Sequence, residues 1–122
     1  MIYPNFQAKV YDWMVKCFGD KISNDTIERN WRFLEEALEL VQALNMTKED
    51  VLKLVDYTYS RPLGAPIQEV GGVCITLAAL TNANNINLEF CAETELTRIS
   101  QPHIIESIRL KQKSKPKGPL PE

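Results

Sequence analysis

Glu35, Glu36 and Glu39 make an E-E-x-x-E pattern within Phe33-Leu34-Glu35-Glu36-Ala37-Leu38-Glu39-Leu40, a stretch that is otherwise strongly apolar. In a helix, at about 100° and 1.5 Å per residue, Glu35 and Glu39 stand one turn apart and Glu36 lies three positions before Glu39. The three carboxylates then converge on one strip of surface, which Glu28 extends two turns back. Like charges at this spacing oppose helix formation by roughly 0.2–0.5 kcal/mol per pair, and only Arg32 lies squarely among them. A divalent cation would compensate the remainder. Oxygen ligands suit magnesium, manganese or calcium, whereas zinc normally calls for a His or Cys grouping that is absent here. The plain alternative is the solvated face of an amphipathic helix, and a second acidic element is needed to decide against it.

The elements that must position these carboxylates are helices. Strict period-two alternation is scarce, while helix-spaced apolar residues recur through most of the chain, which predicts an all-α helical bundle of about five helices. The first runs from Pro4 to Phe18 and stops at Gly19. Asp25 and Glu28 resemble a capping-box pair, so the second helix begins at Asp25 and ends near Asn45, carrying the acidic strip as its main polar face. Thr47 caps a third helix through Tyr59, which Pro62 and Gly64 end. A fourth, nearly all apolar, opens at Pro66 and runs to about Asn84. Asn87 caps a fifth stretch, broken or kinked at Pro102. From Lys111 onward Lys and Pro replace the apolar period, so residues 1–110 form one domain and residues 111–122 an extended tail.

The chain of 122 residues, 44% hydrophobic and 25% charged, reads as one soluble domain with a core of its own. A net charge of −2 supplies no basic field for a nucleic acid polymer. The most apolar window, Val70 to Leu80, is too short for a bilayer, and no basic leader precedes an apolar run, which points to a cytoplasmic protein without a membrane partner. Cys17, Cys74 and Cys91 form no C-x-x-C pair and read as core thiols in a reducing compartment. With His103 as the only histidine, a multi-His zinc site within one chain is excluded.

The second acidic element is Glu69, in the first turns of the apolar fourth helix. An ionised carboxylate there needs the helix dipole or a cation. Glu35-Glu36-Ala37-Leu38-Glu39 followed about thirty positions later by Gln68-Glu69-Val70-Gly71-Gly72-Val73 resembles the two-motif signature of the MazG-like, all-α nucleoside triphosphate pyrophosphohydrolases. The resemblance covers roughly residues 25–99, and Pro119-Leu120-Pro121 resembles the tail of small MazG-like proteins. It implies magnesium-dependent hydrolysis, with manganese a possible substitute, of a nucleoside triphosphate to a monophosphate and pyrophosphate. It also implies a homodimer or homotetramer, as does the large apolar surface of the second and fourth helices.

On this reading Glu35, Glu36, Glu39 and Glu69 hold the metal, with Glu36 and Glu39 closest to the chemistry. Arg32, Arg98, Arg109, Lys111 and Lys115 are the cations available to the phosphates. Trp31, Tyr57 and Tyr59 are aromatics for core packing or for stacking on a base. The chain departs from the family pattern at Gly72, which stands where the family has Asp. Glu93 or Glu95 is a candidate replacement ligand, with Asp56 another. If neither replaces it, the same fold is left as a catalytically degenerate nucleotide-binding or regulatory protein.

Overall fold

A computed structural model of the chain describes residues 4–115; residues 116–122, including Lys117 and the Pro119-Leu120-Pro121 tail motif, lie outside the described residues. The described residues form α1 (Pro4–Ser23), α2 (Thr26–Ala43), α3 (Lys48–Tyr59), α4 (Pro66–Ala83), α5 (Leu88–Ile99) and α6 (Pro102–Gln112), with no strand among them. The all-α expectation holds, with six helices in place of about five. The difference arises at Pro102, which takes the first position of α6 behind Gln101. Proline lacks the N–H that an internal helical turn requires, so the fifth stretch becomes two helices. No helix of the described residues is long and apolar enough to cross a membrane.

Helix ends follow local chemistry. Gly19 interrupts α1 at φ 79°, ψ 172°, a conformation that favours glycine, and a short helical turn continues to Ser23. Asp25 caps α2 by accepting the Ile27 and Glu28 amides through Oδ1, each at 3.1 Å. Thr47 Oγ1 accepts the Asp50 amide at 3.2 Å and caps α3. Asn45 and Asn85 adopt positive φ, at 72° and 56°. Each is followed by an apolar residue whose amide returns into the helix: Met46 to Val41 O and Ile86 to Thr81 O, both at 2.9 Å. The turns after α2 and α4 are thus built alike, as left-handed caps that satisfy the orphaned carbonyls of the last turn.

The described residues fall into two compact units, the first taking in residues up to Glu35 and from Glu89 onward, the second Glu36–Leu88. In the first unit α1 packs on α6 around Cys17, Leu96 and Ile105, all buried. Trp13 donates its indole N–H to Ile99 O at 2.7 Å, joining α1 to α5. Arg109 of α6 donates to Cys17 O at 2.9 Å and to Lys16 O at 2.6 Å, in the turn of α1 before the Gly19 break. A cation at that position complements the helix C-terminus.

The second unit contains only one buried residue, Thr81. Residues Pro66 to Thr76 of α4 are exposed, and so are Leu52, Leu54, Val55 and Tyr57 of α3. Of the three cysteines expected as core thiols, only Cys17 is buried, whereas Cys74 and Cys91 are exposed. Cys74 lies on the uncovered α4. Tyr57 and Tyr59 are exposed too, Tyr59 at 86%, and the Arg61 guanidinium lies 5.2 Å from the Tyr57 ring centre.

Candidate metal centre

The acidic strip sits on one helix, α2, as its spacing requires. Glu36 and Glu39 are exposed and belong to the second unit, as does Glu69 in the first turn of α4. The Glu69 carboxylate folds back over the loop before α4. A side chain at Gly64 would collide with its Oε1, and would meet Cδ at 2.9 Å and Cγ at 3.1 Å, so the bare glycine is what leaves room for this carboxylate. Pro66 at the start of α4 and the preceding Ala65, extended at φ −87°, ψ 129°, set the direction of that helix.

Glu28 and Glu35, in the first unit, are in a different situation. Glu28 is buried at 5% exposure; its Oε1 forms an ion pair with Arg32, 3.1 Å from Nε, and accepts a hydrogen bond from the Gln112 amide Nε2 at 2.8 Å. It does not complete a reciprocal capping box: the Asp25 amide goes to Ile22 O at 3.3 Å. Glu35 is half-buried, and its Oε1 accepts Arg32 Nη1 at 3.2 Å and Lys115 Nζ at 3.0 Å. Two protein cations therefore meet one carboxylate oxygen of the E-E-x-x-E pattern.

Glu93 and Glu95 on α5 are exposed. Arg98 grips Glu95 through two bonds, 2.6 Å from Nε and 3.0 Å from Nη2, and these bonds hold the Glu95 carboxyl below the usual range. The same bonds raise the Arg98 guanidinium. Among the described residues, no group of three or more His, Cys, Asp or Glu side chains stands ready to hold a metal ion. The donor chemistry still fits a hard cation, because magnesium is usually held by one or two carboxylates and completes its octahedron with waters and substrate phosphates.

Of the cations expected at the phosphates, Arg32, Arg98 and Arg109 have the partners already given, and Lys115 is on Glu35. Lys111 is exposed. Sequence reasoning missed Gln112 as the polar partner of Glu28, and it missed Arg29. The Arg29 guanidinium lies 5.9 Å from the Phe18 ring centre, and its Nε and Nη2 are buried without a hydrogen-bond partner. Burial lowers its pKa. An i, i+3 spacing from Arg32 was the only signal in the sequence that Arg29 shares this region. A cavity of about 300 Å³ in the first unit is lined by Trp13, Leu96 and Ile105 with Lys9, Asp12, Lys16 and Ser100, and none of the acidic candidates borders it.

Comparison with models of protein families, with curated proteins and with solved structures finds no match to this chain. The functional reading therefore rests on the residues and their placement.

Proposed function

We propose that the chain is a magnesium-dependent nucleoside triphosphate pyrophosphohydrolase of the MazG-like kind that works as a homo-oligomer and releases a nucleoside monophosphate and pyrophosphate. One observation carries the reading: α2 offers Glu36 and Glu39 at exposed positions, and α4 of the same unit offers Glu69 in its first turn. These carboxylates of the second unit would hold the metal. When bound, such a cation neutralises phosphate oxygens and acidifies a coordinated water. Glu36 or Glu39 would orient the attacking water and accept its proton. Attack at the phosphorus nearest the sugar follows from the family resemblance.

Gly72 favours a second reading, a nucleotide-binding protein that does not hydrolyse. A Cβ built at Gly72 meets nothing within 4 Å, so the position where the family carries Asp is open space. The two readings separate in one experiment: purified protein is incubated with ribo- and deoxyribonucleoside triphosphates, with and without magnesium or manganese, and the products are resolved. Monophosphate and pyrophosphate in equal amounts support the enzyme, with Glu36→Gln and Glu39→Gln each abolishing turnover at unchanged helical content. Nucleotide binding without any such product supports the second reading and ends the first.

A further inference from the structure

The cavity of about 300 Å³ in the first unit has an apolar floor and a charged rim. Lys9, Asp12, Trp13 and Lys16 recur at helical spacing, so α1 presents all four on one face. Leu96 of α5, Ser100 just after it and Ile105 of α6 close the other side. Leu96 and Ile105 are buried, and the Trp13 ring is pinned between its indole bond to Ile99 O at 2.7 Å and an edge contact with Phe18, 5.9 Å between ring centres. Lys9, Asp12, Lys16 and Ser100 are exposed and form the rim.

We propose that this cavity binds a small organic monocarboxylate with an apolar body. Among the described residues, none of the Lys9, Asp12 and Lys16 side chains makes a hydrogen bond or an ion pair, so two ammonium groups stand against one carboxylate and the rim is net positive. The other polar hydrogens are already placed. Ser100 Oγ donates to Leu96 O at 2.6 Å and the Trp13 indole to Ile99 O, which leaves the two ammonium groups as the free side-chain donors of the lining. The positive end of α6 begins between Ser100 and Ile105, where Gln101 supplies no side-chain cap, and it favours the same sign of ligand charge. A bare inorganic anion would leave the floor of Trp13, Leu96 and Ile105 uncovered, and a wholly apolar guest would leave the ammonium groups unmatched. Asp12 opposes a second negative charge. The volume lies at the lower end of small-molecule sites and suits one ring with a short chain.

The site is independent of the pyrophosphohydrolase reading, and none of the carboxylates proposed for the metal borders it. The probes are phenylpropionate, phenylpropanol and phenylpropylamine, which share one apolar body and differ in charge. Each is titrated into the full chain while the two tryptophan indole N–H resonances are followed by NMR, with Trp31→Phe assigning the Trp13 signal. Phenylpropionate should move the Trp13 resonance saturably and leave that of Trp31 in place, the alcohol should bind more weakly, and the amine most weakly. Lys9→Gln and Lys16→Gln, both surface changes, should each weaken the carboxylate by a factor of about two to five, and Asp12→Asn should tighten it by a similar factor. Lys48→Gln, in the second unit, should change nothing. An unmoved Trp13 resonance overturns the site. Equal binding of the three probes, or carboxylate affinity that neither lysine variant lowers, reduces it to an apolar surface without charge selection and overturns the proposal as well.

Discussion

Glu28 began as an outlying member of the acidic strip and is, in the fold, the most buried of its carboxylates. Burying a charge is costly unless it is paired and hydrogen-bonded, and here Arg32 and Gln112 supply both. Truncation would leave Arg32 with one carboxylate fewer and the Gln112 amide without an acceptor. Glu28→Ala should therefore cost about 2–4 kcal/mol in urea unfolding, whereas Glu36→Ala, at an exposed position, should cost well under 1 kcal/mol. The cysteines differ in the same way. Cys17 is buried, and burial raises its thiol pKa, with Arg109 and Lys16 opposing the shift. The thiolate is the reactive form, so Cys17 should resist iodoacetamide at neutral pH while exposed Cys74 and Cys91 are alkylated. Mass spectrometry of the modified chain distinguishes them, and rapid labelling of Cys17 in the native protein would contradict its burial.

Among the helices, α4 has the clearest conflict between sequence and surroundings. Its two adjacent glycines, Gly71 and Gly72, weaken a helix by removing side chains and adding backbone freedom, and a Cβ at either meets nothing within 4 Å. Gly72→Asp is therefore sterically free, and it introduces the residue type that the MazG-like motif, which this stretch resembles, carries three positions after its Glu. The variant should retain the fold, with a stability change within about 0.5 kcal/mol. In the product assay it should raise pyrophosphate release if the missing ligand limits activity. Folding intact with no gain in magnesium affinity or turnover would show that Gly72 is not a lost ligand position.

At the scale of the whole molecule, the second unit lacks a covered apolar face. Ile67, Val70, Val73 and Ile75 of α4 are exposed at 90%, 64%, 42% and 71%. Apolar area contributes roughly 25 cal/mol per Å² when removed from water, so an assembly that covered these side chains would be stabilised. A closed homo-oligomer would cover that face on every copy. Light scattering at micromolar concentration should give a mass at least twice 13.9 kDa, and the melting temperature should rise with protein concentration. A particle of 13.9 kDa with a concentration-independent melting temperature would refute the assembly.

Much of the helical pattern can be read from residues a turn or less apart. Gly19 breaks α1 because its φ is positive; Asp25 and Thr47 cap because their side-chain oxygens reach amides two or three residues on; Pro66 and Pro102 open helices because they have no amide to leave unpaired. The same local spacing places Glu35, Glu36 and Glu39 on one helix. Local spacing cannot say what meets a side chain from far along the chain. Glu28 with Gln112, Glu35 with Lys115 and Arg109 with the carbonyls of α1 are pairings across 80 or more residues. They exist because packing of the first unit brings α6 back beside α1 and α2. The exposure of α4 is likewise invisible in its composition, since an apolar helix reads as buried whether its cover comes from its own chain or from a neighbour. How deeply each carboxylate is covered is thus a property of packing: Glu28 and Glu35 are drawn in against protein cations, while Glu36 and Glu39, on the same helix, are exposed.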